Sequence, residues 1–233
     1  ALILGTNGDD DITIIARDGS THPLPGVDGV EDFTVSVNGG AEVLFIDVAE
    51  LYVDALAGDD DIVLREPAPN DAEWDVDVTI AGGPPSSVTG DQGDVFQMET
   101  PGQQTMTYTP TGSDQGTIDD TANNSLITLT NSFTIGALSY TSSTGGVEQF
   151  VYDGEGGDDV VTVVGTGVAD TFVHTPGATI DAGRIAVNNW LALDYQNLGA
   201  VAALTVDGDD GTDELVVRGT DQDDTFDVAG TTG

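Results

Sequence analysis

The feature that most constrains the fold of this chain is a fixed order of segments: an apolar run, an acidic turn rich in glycine, and a second apolar run. Residues 152–172 match residues 206–226 at an offset of 54 residues, and residues 5–14 match residues 55–64 less regularly. Self-similarity at such a period indicates an architecture built by repetition. We therefore expect one domain over residues 1–233, made of irregular repeats of about 50–54 residues.

The apolar runs are short and rich in β-branched residues, as in DITII (11–15), FTVSV (33–37) and VVTVV (160–164). Turn residues separate the runs at intervals of roughly 8–12 residues, which is typical of all-β proteins, and no long stretch shows a helical period. The sequence predicts an all-β fold, specifically a parallel β-helix (β-solenoid) with Gly/Asp-rich calcium-binding turns. Residues 15–31 and 65–75 are broken by Gly and Pro, so we expect loops there.

The net charge of −38 comes from 42 acidic residues and only four basic ones, all of them arginines. A compact fold with this charge repels itself strongly, yet 38% of the residues are hydrophobic, which argues against disorder. We therefore expect the chain to fold with bound cations that supply the missing positive charge. The same charge excludes nucleic acid and anionic membrane as natural partners, and no apolar run reaches the roughly 18 residues of a membrane-spanning helix.

The acidic turns share a nine-residue frame, with Asp in the sixth place and an apolar residue in the eighth. Glycines permit positive φ, so such a turn can wrap closely around an ion. Carbonyl and carboxylate oxygens are the ligands that calcium (Ca²⁺) takes in proteins. The predicted ligands are the sixth-place Asp10, Asp60, Asp94, Asp159, Asp170, Asp213 and Asp224, and the neighbouring Asp9, Asp11, Asp59, Asp61, Asp158, Asp209, Asp210, Asp221 and Asp223.

The windows GEGGDDVVT (154–162), GDDGTDELV (208–216) and GTNGDDDIT (5–13) resemble the RTX, or haemolysin-type, calcium-binding nonapeptide G-G-x-G-x-D-x-U-x. They depart from it at the second place, which is occupied by Glu155, Asp209 and Thr6. The resemblance implies calcium ions held between the turns of successive coils. Because the windows are scattered rather than in tandem, the chain is similar to the looser RTX-related repeats of large bacterial secreted and cell-surface proteins.

No catalytic signature is present: the sequence contains no GxSxG, phosphate loop or HExxH motif. We expect a structural protein and not an enzyme. Neither end looks capped, and LILGTNGDDDITI (2–14) is similar to LVVRGTDQDDTFDV (215–228). This similarity predicts end-to-end stacking, with copies of the chain or with adjacent repeats, in a filament, stalk or surface layer. It also favours a segment or processed product of a longer extracellular protein.

Two alternatives remain open from the sequence. A carbohydrate- or surface-binding adhesive module could stack surface glycans on aromatic side chains such as Trp190 or Tyr195. A β-helix polysaccharide lyase would need a basic residue beside calcium-bound carboxylates, and Arg218, next to the last pair of acidic turns, is the one candidate.

Overall fold

The structure is a computed structural model that describes residues 1–19, 24, 26, 30–66, 74–85, 93–121, 124–220 and 223–224. In most strands alternate side chains are buried, as in Asp11–Ala16, where the isoleucines at 12 and 14 face the core. This alternation is why the β-branched runs form half-buried strands. The strands of the described residues are β1 (Leu2–Leu4), β2 (Asp11–Ala16), β3 (Phe33–Val37), β4 (Val43–Phe45), β5 (Glu50–Asp54), β6 (Asp61–Arg65), β7 (Asp77–Ala81), β8 (Val95–Glu99), β9 (Thr105–Gly112), β10 (Gln115–Asp120), β11 (Ser125–Leu129), β12 (Thr134–Ile135), β13 (Tyr140–Thr141), β14 (Gln149–Asp153), β15 (Val160–Val164), β16 (Thr171–Pro176), β17 (Gly183–Val187), β18 (Leu193–Gln196), β19 (Ala203–Asp207) and β20 (Glu214–Val217).

These strands form two large mixed sheets and one small hairpin, β12–β13. The eight-stranded sheet has the order β1-β5-β7-β11-β10-β9-β15-β19, and the ten-stranded sheet has the order β20-β16-β17-β18-β14-β8-β6-β2-β3-β4. One short 3-10 helix, Gly136–Leu138, is the helical content of the described residues. No helix within those residues is long and apolar enough to cross a membrane.

The expected all-β class is confirmed, but the predicted parallel β-helix (β-solenoid) is wrong. Antiparallel strands interrupt the parallel pairs at three places: β2-β3-β4, β9-β10-β11 and β16-β17-β18. Turns reverse the chain within these meanders before it can cross to the opposite sheet, although the connection from β2 to β3, residues 17–32, is a long one. One such turn follows β3, where Asn38 and Gly39 both have positive φ. Side-chain alternation is the same in parallel and antiparallel strands, so the periodicity could not distinguish the two arrangements.

The core lies between the two large sheets, where inward side chains of both meet in one apolar cluster. Val53 and Ile80 enter it from the eight-stranded sheet, and Ile62 and Phe96 enter it from the ten-stranded sheet. Most of the acidic turns are the crossings between the sheets, as between β5 and β6 and between β15 and β16. The sixth-place Asp therefore lies immediately before a strand, at the rim of the core.

In the two segments expected to be loops, residues 20–23, 25, 27–29 and 67–73 lie outside the described residues. Residues 15 and 16 belong to β2 and residue 65 to β6, so the expected loops were wrong there. Trp74, at the end of the second segment, is fully buried. Its indole N–H donates to the carbonyl oxygen of Asp32 at 3.0 Å.

A structural repeat relates the two ends of the chain. The six strands β1–β6 and the six strands β15–β20 have the same sheet membership and pairing: the first and fifth are parallel, the second and sixth are parallel, and the second, third and fourth form an antiparallel meander. The match extends to side chains. Asn38 after β3 donates through Nδ2 to Asp10, and Asn188 after β17 donates in the same way to Asp170, both at 2.6 Å.

Candidate metal centre

The sixth-place acids form a ladder across neighbouring parallel strands. Asp10, Asp60, Asp94 and Glu148 precede β2, β6, β8 and β14, which adjoin one another in the ten-stranded sheet. The main-chain N–H of Asp10 donates to Asp60 Oδ1 at 2.8 Å, that of Asp60 to Asp94 Oδ1 at 2.9 Å, and that of Asp94 to Glu148 Oε2 at 2.7 Å. We call these four residues the carboxylate ladder. Asp60, Asp94 and Glu148 each accept from the start of the adjacent strand and so help to fix the register of the sheet.

The same contact occurs outside the carboxylate ladder. The N–H of Gln104 donates to Asp159 Oδ1 at 2.7 Å, and the N–H of Asp170 donates to Asp213 Oδ1 at 3.0 Å. One oxygen of each of these acids is therefore occupied by a main-chain donor, and the second oxygen determines what else the turn can bind.

In the first window the protein itself satisfies both oxygens of the sixth-place acid. Asp10 Oδ2 accepts from the N–H of Thr6 at 2.5 Å and from its hydroxyl at 3.0 Å, while Oδ1 accepts from Asn38 Nδ2 at 2.6 Å. Thr6 stands in the second place of the frame, where the RTX pattern has glycine. The residue that looked like a departure from the pattern is thus a donor that stabilises the carboxylate.

The equivalent window repeats this arrangement. Asp170 Oδ2 accepts from the N–H and the hydroxyl of Thr166 at 2.6 and 2.8 Å, and Oδ1 accepts from Asn188 at 2.6 Å. Burial opposes ionisation of Asp170, but these hydrogen bonds outweigh it, and the pKa of Asp170 is lowered. A carboxylate satisfied in this way needs no cation.

Three other sixth-place acids are left incompletely bonded. Asp60, Asp94 and Asp159 are fully buried, and the Oδ2 atom of each has no hydrogen-bond partner in the described part of the chain. Burial raises the pKa of Asp60 to about 6, of Asp94 to about 8 and of Asp159 to about 7, despite the main-chain hydrogen bond that each accepts. Leu56 and Glu155 stand in the second place of the Asp60 and Asp159 windows, so the threonine donor is missing there.

Two of these unpaired oxygens face main-chain carbonyls across a glycine. A Cβ added to Gly82 would lie 2.5 Å from Asp94 Oδ2 and 2.5 Å from the carbonyl oxygen of Gly146. A Cβ at Gly154 would overlap Asp159 Oδ2, with the carbonyl oxygen of Asn197 3.0 Å away. A carbonyl and an ionised carboxylate are both acceptors, so they attract each other only through a shared proton or a cation. The raised pKa values of Asp94 and Asp159 supply such a proton in the ion-free chain, and a hard cation such as Ca²⁺, which takes both kinds of oxygen, would replace it.

Carboxylates alone do not make a complete site. Among the described residues, no group of three or more His, Cys, Asp or Glu side chains is arranged to hold a metal ion. An ion at Asp94 or Asp159 would be held by one carboxylate together with main-chain carbonyl oxygens. Calcium accepts such mixed oxygen ligands in variable geometry.

Several of the remaining predicted ligands make contacts within the protein. The N–H of Asp59 donates to Asp9 Oδ1 at 3.0 Å, and the N–H of Val201 donates to Asp158 Oδ1 at 3.0 Å. Asp11 lies opposite Asp61 on the parallel strands β2 and β6. Burial and the neighbouring Asp11 carboxylate raise the pKa of Asp61.

The described C-terminal acids are exposed, in contrast to the buried acids above. Asp224 is held by Thr220, whose N–H and hydroxyl each donate to its carboxylate at 2.9 Å. Asp221 lies outside the described residues. The predicted ligands that are exposed at this end are Asp209, Asp210, Asp213, Asp223 and Asp224.

Sequence reasoning missed two acids that belong with this set. Glu148 completes the carboxylate ladder. Glu66 is fully buried, accepts from the hydroxyl of Ser125 through Oε2 at 3.0 Å, and has no partner for Oε1 within the described residues. Burial, and then the nearby Asp120, raise the pKa of Glu66 well above its usual value. The alternation of Ile62 and Leu64 continues to position 66, so the pattern could have placed Glu66 inside.

The side chains named for the alternative functions are not grouped on a surface. Tyr195 is only 7% exposed, and its hydroxyl lies 2.7 Å from Nε2 of His174, whose ring it stacks on. Trp190 packs against the core. The main-chain N–H of Arg218 donates to the carbonyl of His174 at 2.9 Å.

No family model matches this chain, and no curated protein or solved structure is significantly similar to it.

Proposed function

We propose that the chain is a calcium-stabilised structural module, associating end to end in a secreted or cell-surface bacterial assembly and performing no catalysis. One observation carries the calcium part. Asp60, Asp94 and Asp159 each bury a carboxylate oxygen that has no donor among the described residues. An unpaired ionised carboxylate taken out of water costs several kcal/mol even after relaxation. A bound Ca²⁺ removes this cost and supplies part of the positive charge that the sequence lacks.

The contrast between windows supports this proposal. Where threonine occupies the second place, the protein completes the bonding of the carboxylate, as at Asp10 and Asp170. Where it does not, as at Asp60 and Asp159, an oxygen is left over. The turns thus divide into hydrogen-bonded turns and turns suited to a cation. If every acidic turn served only to reverse the chain, this difference would have no explanation.

The association part is supported by the sheet edges. Among the described strands, β1 and β4 are the last at one end of the two sheets, and β19 and β20 are the last at the other. Strands at an edge present unpaired main-chain groups to another chain. Both ends also expose apolar side chains, including Leu4, Val43, Leu215 and Val217.

Thermal unfolding with calcium, with magnesium and with a chelator tests the calcium part. Ions bound only by the folded state stabilise it by about 2.7 kcal/mol when the free concentration is 100 times Kd. We expect calcium to raise the melting temperature reversibly and magnesium to raise it much less, because Mg²⁺ demands near-octahedral coordination. An unchanged melting curve in the chelator would exclude a stabilising role for calcium.

A further inference from the structure

Comparison of the two copies of the structural repeat shows which strands can pair with its outer edges. In the C-terminal copy, β15 is paired in parallel with β9, and β18 is paired in parallel with β14. The corresponding strands of the N-terminal copy, β1 and β4, are the last described strands of their sheets. Within the described part of the chain, no strand beside the N-terminal copy therefore corresponds to β9 or to β14.

A cavity marks the position of these two strands. It has a volume of about 260 Å³ and lies between β1 and the β3–β4 hairpin. Its lining is apolar and consists of Ile3, Val35, Val37, Ala41, Val43 and Phe45. By the pairing registers, the corresponding residues of the C-terminal copy are Val163, Ile185, Val187, Leu191, Leu193 and Tyr195, all of them buried.

In the C-terminal copy, β9 and β14 fill the equivalent space. Tyr108 of β9 is buried and donates through its hydroxyl to the carbonyl oxygen of Leu191 at 2.8 Å. Its ring packs on Phe150 of β14 at a centroid distance of 5.0 Å, and Phe150 lies opposite Leu193. The residues that line the N-terminal cavity thus correspond to residues that a pair of parallel strands, one from each sheet, covers elsewhere in the same molecule.

The opposite end of the molecule presents such a pair. β19 is the last described strand of the eight-stranded sheet, and β20 is the last of the ten-stranded sheet. Leu215 lies opposite the buried Phe172, so it faces the core side of its sheet, yet it is 55% exposed. Leu204 and Val206 of β19 are partly buried against the same core. Within the described residues, the core is therefore open at this end.

We propose that β19 and β20 of one copy pair in parallel with β1 and β4 of a second copy, and that both sheets and the core continue across the junction. The strand directions permit this pairing: β1, β5, β9, β15 and β19 all run the same way, and so do β4, β2, β14, β18 and β20. In this arrangement β19 pairs with β1 as β9 pairs with β15 within the molecule. Likewise, β20 pairs with β4 as β14 pairs with β18. The junction is heterologous, so copies add head to tail and form a filament wherever the rotation between them does not close a ring. This interface rests on the proposed end-to-end association and specifies which strands pair in it.

Two substitutions block the two ends separately. Val43 is 56% exposed on β4 and Leu215 is 55% exposed on β20, so Val43→Lys and Leu215→Lys place a charge in the junction and leave the fold intact. Ile180, which is fully exposed in the turn between β16 and β17, gives the control Ile180→Lys. The chain of residues 1–233 is examined by sedimentation velocity over a range of concentrations, with calcium and moderate salt to screen repulsion between the copies.

Wild type and Ile180→Lys are expected to form a concentration-dependent series of oligomers, and each blocked variant to remain monomeric. An equimolar mixture of Val43→Lys and Leu215→Lys retains one free end of each kind, so it gives a dimer and nothing larger. This dimer also shows that both variants are folded, and Val43→Ser with Leu215→Ser provides a milder second pair.

The possible failures are distinguishable. If both blocked variants assemble like wild type, the interface is wrong while end-to-end association stands. A mixture that stays monomeric, while wild type assembles, contradicts the head-to-tail pairing. A wild-type chain that is monomeric at every concentration overturns both the interface and the proposed association, and it leaves the calcium part to its own test.

Discussion

Asp60 accepts a hydrogen bond of 2.8 Å from the main-chain N–H of Asp10 through Oδ1, while its Oδ2 is buried without a partner among the described residues. The two acids occupy the same place of the nine-residue frame and adjacent strands of one sheet. They differ because Thr6 donates twice to Asp10, whereas Leu56 stands in that place of the Asp60 window. One residue, four positions before the acid, thus distinguishes a self-sufficient turn from one that is suited to a cation.

Asp94→Asn is expected to reduce the stabilisation by calcium without destabilising the calcium-free chain, because the amide keeps an oxygen for the N–H of Asp60 and replaces only the oxygen that lacks a donor. The triple variant with Asp60→Asn and Asp159→Asn should abolish the effect of calcium. Urea unfolding with calcium and with chelator measures both. A triple variant that responds to calcium like wild type would show that these acids are not the ligands.

Asp170→Asn is the matched control for Asp94→Asn. Its amide would place N–H groups against the donors of Thr166 or Asn188, which now bond both carboxylate oxygens. We expect a loss of about 1–3 kcal/mol in the free energy of unfolding. The loss should be the same with calcium and with chelator, and a loss that calcium restores would contradict the division of the turns.

Thr166→Ala removes the hydroxyl that donates to Asp170 at 2.8 Å. Because this bond helps to lower the pKa of Asp170, the pKa should rise towards its ordinary value. The chain should lose about 1 kcal/mol of stability at neutral pH, the usual contribution of one hydrogen bond. Carboxylate titration by NMR measures the pKa, and an unchanged value would remove Thr166 as its cause.

Gly82→Ala tests the space between Asp94 and the carbonyl of Gly146. The new Cβ would lie 2.5 Å from both oxygens, so we expect weaker calcium binding by calorimetry and a loss of about 1–3 kcal/mol from overpacking. Gly167→Ala is the control, since no atom lies within 4 Å of its added Cβ. Equal calcium affinity in the two variants would rule out this space as part of a site.

Glu66→Gln should flatten the dependence of stability on pH. Burial raises the pKa of Glu66 well above the usual 4.5 in the folded chain, so between these two pKa values the unfolded chain binds fewer protons. Stability from this group is complete below the unfolded pKa and is lost as the pH rises through the folded one. Between pH 5 and pH 8 in chelator, the free energy of unfolding should fall less for the variant than for wild type. An equal fall in both would contradict this role.

The sequence predicted the strands correctly where the apolar runs were clear, as at residues 11–15 and 160–164. It could not predict which strands pair, because a period of two is common to parallel and antiparallel sheets. The hairpins that replace the expected β-helix depend on local turns such as Asn38–Gly39. The pattern of apolar residues does not distinguish these turns from crossings between the sheets.

The candidate site was predicted in outline and not in detail. The sixth-place frame selected Asp60, Asp94 and Asp159, but it treated all seven windows alike because the hydrogen bonds of Thr6 and Thr166 appear only in three dimensions. Glu148 was missed because it lacks the acidic glycine context, although it ends the carboxylate ladder.

The structural repeat of β1–β6 in β15–β20 was also invisible to a search at constant offset. Residues 17–32 separate β2 from β3, whereas only residues 177–182 separate β16 from β17. The base of the hairpin is nevertheless the same in both copies, since Asn38 and Asn188 make the same bonds to Asp10 and Asp170. New sequence can therefore enter or leave at the tip of this hairpin while the junctions at the two ends of the molecule stay as they are. A protein of this design could change what it displays along its flank without changing how its copies join.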